Sequence, residues 1–300
     1  MRFQLYMSGL ALALCACEPK LVSPPPEQVS HQLADGQLVL TVSPAHGGRL
    51  SSMVYRDQER LSLKSERDPA NWGSTLWISP QTSWGWPPPD SFDNLPYTLT
   101  GSGNSRSLQG PVDEQKTGLR IDKTFRLLGG DRIAWQYQLT RPAGAAAPAA
   151  AWEVTRVPIR GLVLFAHEAD PLWFTFGSFP YTTFGDVTWV DLRHSELSEG
   201  KLNANGRGWI AWVDGRDLFI KRYKDLRTDQ QAPTEAETQL YISPRGYMEL
   251  EAQGAYQTIA PGQSISFDTE WQWLRLPEDV VVDVDSPSLL TYLQSVGLPL

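Results

Sequence analysis

From about His31 onward the chain breaks into short runs in which apolar and polar residues alternate, and this period of two limits the fold more than any other feature. Residues 37–42, 49–55, 119–128, 132–141 and 152–157 open the series. Residues 161–166, 187–192, 208–213, 218–223, 238–243, 247–253 and 265–274 continue it, giving at least twelve candidate strands. Gly129-Gly130-Asp131 and Asp214-Gly215 sit where hairpins need positive φ. No region between the runs keeps helical spacing, so the expected class is all-β, with large antiparallel sheets facing each other. The Ala-rich segment 142–151 contains Pro142, Gly144 and Pro148 and reads as a loop. Only the C-terminus looks helical: Ser286-Pro287 supplies a cap and a first-turn proline, and Gly297 a stop.

The start of the chain has a different grammar. Arg2 precedes an apolar run from Leu5 to Leu14, too short to span a bilayer, which matches a secretory signal. Leu14-Cys15-Ala16-Cys17 then resembles the lipobox of bacterial lipoproteins, which implies lipidation at Cys17. Both cysteines of the chain lie here, leaving none for a disulfide, a zinc site or a nucleophile. Pro24-Pro25-Pro26 stiffens a tether poor in apolar residues. The expected organisation is a signal over 1–16, a lipidated tether over 17–30, a β domain over 31–276 and a tail with a short helix over 277–300. The expected location is the bacterial cell envelope, on the periplasmic face of the outer membrane, held to the membrane by lipid. A net charge of −8 without a basic cluster argues against nucleic acid as a partner. No cofactor or metal is expected, since no His-x-x-x-His spacing occurs, and no Gly-x-Ser-x-Gly elbow marks a serine hydrolase.

Two stretches carry candidate chemistry. Residues 71–89 hold four of the twelve tryptophans, Trp72, Trp77, Trp84 and Trp86, interleaved with Asn71 and Gln81. Flat apolar rings flanked by amides suit a sugar, whose C–H face stacks while its hydroxyls need donors and acceptors. The alternative is that these indoles fill a core under a long loop. In the strand 247–253, Glu249, Glu251 and Gln253 share one face, and Met248, Leu250 and Ala252 the other. The carboxylates either line a cleft or face water. Arg49 and Arg156 either fork onto an anionic group of a sugar or make salt bridges. Trp209, Trp271 and Trp273 read as core between sheets.

Leu250-Glu251-Ala252-Gln253 with its following Pro261-Gly262 turn is similar to the C-terminal part of galactose mutarotases and related aldose 1-epimerases. Pro44-Ala45-His46-Gly47-Gly48-Arg49 looks like that superfamily's opening hairpin, and residues 71–89, 208–213 and 218–222 resemble a bacterial lipoprotein branch of it. The likeness covers most of residues 36–276. It implies a β-supersandwich with a sugar-sized cleft, a carbohydrate or sugar derivative as ligand, and Glu251 as the base of an aldose 1-epimerase-like isomerase. Mutarotation also needs an acid near neutral pKa. The superfamily's acid motif, Asn-His followed shortly by an aromatic and Asn, is missing here; His167 is the first candidate for the role and His46 the second, while His31 and His194 read as surface residues. The alternative function is a non-catalytic envelope scaffold or assembly lipoprotein that binds a protein partner.

Overall fold

A computed structural model describes residues 29–32, 36–193 and 197–300. The signal and residues 17–28 of the expected tether, Cys17 among them, lie outside the described residues, as does His194, while Val29 and Ser30, expected in the tether, belong to the first strand.

The alternating runs form two large antiparallel sheets, of eleven and ten strands among the described residues. The first sheet runs Val29–Gln32, Leu38–Ser43, Arg49–Tyr55, Ser74–Ser79, Ala147–Pro158, Tyr247–Gln253, Thr238–Ile242, Gly200–Ala204 and Trp173–Gly177, with Gln58–Glu59 added beside Arg49–Tyr55 and Gln257–Ile259 beside Ala147–Pro158. The second runs Thr182–Phe184, Val187–Asp191, Leu162–Ala166, Trp209–Asp214, Asp217–Tyr223, Ser264–Arg275, Arg132–Thr140, Arg120–Gly129, Ser105–Val112 and Thr98–Thr100. The expected hairpins at Gly129-Gly130-Asp131 and Asp214-Gly215 are present, with Asp131 and Gly215 at φ of 56° and 64°.

Between the sheets, Leu76, Ile78, Met248, Leu250 and Ala252 of the first join Phe125, Trp135, Phe219, Trp271 and Trp273 of the second in one buried cluster. Trp273 stacks on Tyr55 and on Phe219, each at 4.9 Å between centroids, which ties the two sheets by ring geometry as well as area. Glycine is required at the opening hairpin, because a Cβ on Gly47 would stand 2.2 Å from the Phe92 carbonyl oxygen.

Two expectations need correction, and one strand lies outside the expected series. The segment 142–151 is a loop only in its first half: Ala147–Pro158 is a twelve-residue strand, and Pro148 fits because it lies on a short two-strand extension opposite Thr258. Ser74–Ser79, with no alternation of polarity, is a central strand buried on both faces. Trp209 is buried away from the inter-sheet layer, in a second cluster with Leu289, Leu293 and Leu298, and its indole donates to the Pro299 carbonyl at 2.7 Å. That cluster exists because the C-terminal helix Pro287–Ser295, capped by Ser286 as expected, lies over the far face of the second sheet. The first sheet keeps its outer face for a cleft.

Candidate functional site

The cleft follows from register. Ala147–Pro158 pairs with Ser74–Ser79 on one side and Tyr247–Gln253 on the other, setting Trp152 beside both Trp77 and Gln253, Val154 beside Thr75 and Glu251, and Arg156 beside Glu249. The next strand places Gln239 opposite Glu251 and Tyr241 opposite Glu249, and the one beyond sets Lys201 opposite Tyr241. All these side chains share the outer face, because alternate residues of paired strands do. The loop after Ser79 brings in Gln81 and Trp86. The result is a cleft of about 220 Å3 whose lining includes Trp77, Trp86, Trp152, Lys201, Tyr241 and Glu249. That is below the roughly 300–1,000 Å3 typical of drug-sized ligands and suits a single small ring.

Of the residues singled out in the sequence, Asn71, Trp77, Gln81, Trp86 and Glu249 border this cleft. Glu251 lies beneath it, fully buried: Oε2 accepts from the Trp152 indole at 2.6 Å and the Lys201 ammonium at 2.9 Å, while Oε1 has no partner. Arg156, fully buried, donates through Nε to Glu249 Oε1 at 2.8 Å, and its Nη2 has no partner. Burial pushes the Glu249 carboxyl up to about 7; Arg156 opposes the rise and the nearby Glu251 carboxylate reinforces it. Two carboxyl groups two residues apart on one strand face therefore share a dry floor, with one of them able to hold a proton near neutral pH.

Arg49, Trp72 and Trp84 stand behind that floor. Arg49 donates to the Trp72 carbonyl at 2.6 Å and pairs with Asp93 at 3.1 Å, and its guanidinium lies 4.5 Å from the centre of the Trp72 ring. Burial alone would raise Asp93, but Arg49, Arg156 and hydrogen bonds from Thr75 and the Trp77 indole hold it below its ordinary value. Asp93 thereby fixes the Trp77 ring that forms one cleft wall. Trp84 is core, its indole donating to the Ile78 carbonyl at 2.7 Å.

Neither candidate histidine borders the cleft. His46 contacts Ser43 at 2.8 Å and the edge of Trp72, and burial with Lys64 and Arg49 lowers its pKa. His167 ends a second-sheet strand, bridged to Gly206, with Nδ1 2.7 Å from the Glu168 carbonyl.

Sequence reading missed Trp152 and Phe176 as walls and Lys201, Tyr241, Arg245 and Tyr247 as polar lining. Trp152 was readable in principle, since it shares the Arg156 face; Lys201 was not, because it reaches Glu251 across an intervening strand.

No protein-family model matches the chain, and no curated protein matches it in sequence. Solved structures do resemble it. A galactose mutarotase-like protein from Lactobacillus casei ATCC 334 aligns with a TM-score of 0.58 at 12% identity, over 83% of this chain and 100% of that one. A galactose mutarotase related enzyme from Lactobacillus acidophilus aligns at 0.54 and 7% identity, over 84% and 100%. A galactose 1-epimerase from Lactobacillus acidophilus NCFM aligns at 0.50 and 11% identity, over 83% and 95%. At such identities the likeness is one of fold, and the chain has the galactose mutarotase-like fold that its sequence suggested.

Proposed function

We propose that the protein is a carbohydrate-binding envelope lipoprotein, anchored through Cys17, whose cleft takes an aldose and exchanges protons at its anomeric centre. The observation that carries this reading is Glu249 in the lining of a cleft walled by Trp77, Trp86 and Trp152, with Glu251 buried beneath it on the same strand face. The indole faces supply stacking for the sugar's C–H face, and Asn71, Gln81 and Lys201 supply donors for its hydroxyls.

Ring opening requires one group to take the proton of the anomeric hydroxyl while another protonates the ring oxygen. Glu251, held beneath the cleft by Trp152 and Lys201, stands at the position that the mutarotase resemblance assigns to the base for the first task. Glu249, whose carboxyl burial raises towards neutral pH and which borders the cleft, suits the second; among the described residues no histidine lines the cleft to serve it. The exposed aromatics Tyr181 and Phe184, outside the cleft lining, favour a second reading, a scaffold that binds a protein partner.

Anomer-exchange and saturation-transfer NMR against aldoses, uronic acids and sugar phosphates separates these. Accelerated exchange, lost in both Glu251→Gln and Glu249→Gln, is the expected result. Binding without acceleration reduces the protein to a sugar receptor, and no signal with any sugar moves the weight to the scaffold.

A further inference from the structure

The cleft has a neighbour. A second hollow of about 340 Å3 shares Asn71, Trp86 and Arg245 with it and continues to Arg67, Asp90 and Asn94. Trp86 forms a wall of both, and 57% of it is exposed, the second most exposed large apolar side chain described. Its orientation is set by the edge of Trp77, 5.9 Å away between ring centres. Leaving so large a ring in water forgoes on the order of 1.5–3 kcal/mol of burial, which a ring stacked against it recovers. Arg245, tied to Asp68 at 3.2 Å, and Asn71, which donates to the same carboxylate, form the floor of the passage between the hollows.

The second hollow repeats the chemistry of the first. It sets the Trp86 ring and Pro87-Pro88 beside forked polar groups: the Arg67 guanidinium, and an Asp90 carboxylate that accepts from the Asn94 amide at 2.7 Å. Its lining sets Asp68, Asp90 and Asp93 beside Arg67 and Arg245, with Asp68 paired to Arg245 and Asp93 to Arg49 behind the wall, so that one cation and one carboxylate, Arg67 and Asp90, remain and neither sign of charge is in excess for a ligand. Each hollow has room for about one ring, and Trp86 stands between them, so one monosaccharide cannot use both.

Resting on the carbohydrate reading above, we propose that the site takes a glycan of at least two rings. One ring lies in the cleft over Glu249, and the next crosses Trp86 into the hollow beside Arg67, Asp90 and Asn94. The ligand is then a neutral disaccharide or longer chain in preference to a free monosaccharide.

The test is calorimetric titration with saturation-transfer NMR on the full chain in detergent. Glucose is compared with maltose and cellobiose, galactose with lactose, and N-acetylglucosamine with its β-1,4 dimer. At least one disaccharide is expected to bind tenfold or more tighter than its monosaccharide, with saturation reaching both rings. Arg67→Ala combined with Asn94→Ala, both outside the first cleft, should remove that advantage and leave the monosaccharide titration as it was. Equal affinity within every pair, with saturation confined to one ring, overturns the two-ring proposal while the carbohydrate reading stands. No binding by any of these sugars overturns both.

Discussion

The sheet around the strand Ala147–Pro158 has one buried carboxylate–cation pair on its inner face and two on its outer face, and the two faces are built differently. On the inner face, Glu153 accepts from the Tyr137 hydroxyl at 2.6 Å, Thr269 at 3.0 Å, the Trp271 indole at 3.2 Å and the Lys221 ammonium at 2.8 Å. Lys221 also donates to Thr155 and to the Leu250 carbonyl, so every charged atom there has a partner. On the outer face, Arg156–Glu249 and Lys201–Glu251 leave Arg156 Nη2 and Glu251 Oε1 buried and unpartnered. A saturated buried network fixes how the sheets sit on each other, whereas buried polar atoms left open cost free energy and mark where a ligand supplies the missing partner.

The largest effect that tests this contrast is on the inner pair. Lys221→Met strands Glu153 in the inter-sheet layer and is expected to cost about 3–5 kcal/mol in denaturant unfolding. Lys201→Met should cost less than half as much, because Lys201 lines the cleft, where water can take its place beside the carboxylate. Equal losses break the comparison.

A pH series sharpens it. The Glu249 carboxyl is raised from 4.5 to about 7 in the fold, so between those values the folded state binds more protons than the unfolded one. Its contribution to stability is fully present below pH 4.5 and is lost as pH rises to about 7, at a slope on the order of 1 kcal/mol per pH unit. Glu249→Gln should flatten that part of the stability curve; an unchanged slope places the titrating group elsewhere.

Smaller still is the stability effect of Trp86→Ala. With its ring mostly in water, the change should alter unfolding free energy by less than about 0.5 kcal/mol. Sugar affinity, read by titration, should fall about tenfold, or about 1.4 kcal/mol. The smallest effect expected is on catalysis in His167→Ala: anomer exchange should stay within about twofold of the parent, since His167 ends a second-sheet strand away from the cleft lining. A hundredfold loss would return the acid role to that histidine.

The all-β class, the two hairpins, the helix cap at Ser286 and the split of 247–253 into a polar and an apolar face are all legible in the residue order alone. Each rests on local steric rules or on alternation, which neighbours in sequence are enough to express. Residues 74–79 escaped this logic because the strand is covered on both faces. Its Thr75 and Ser79 face the cleft side and satisfy their hydroxyls on Asp93 and Glu235, so polarity no longer reports exposure. Which carboxyl borders the cleft, which cations serve it and which indoles are walls depend instead on how distant strands pair. Lys201 meets Glu251 from 50 residues away and Arg156 meets Glu249 from 93, through strand register that no local pattern encodes. Trp84 and Trp86, two residues apart in one aromatic run, part company for the same reason: packing against Ile78 and Phe92 draws one ring into the core and leaves the other at the mouth of the site.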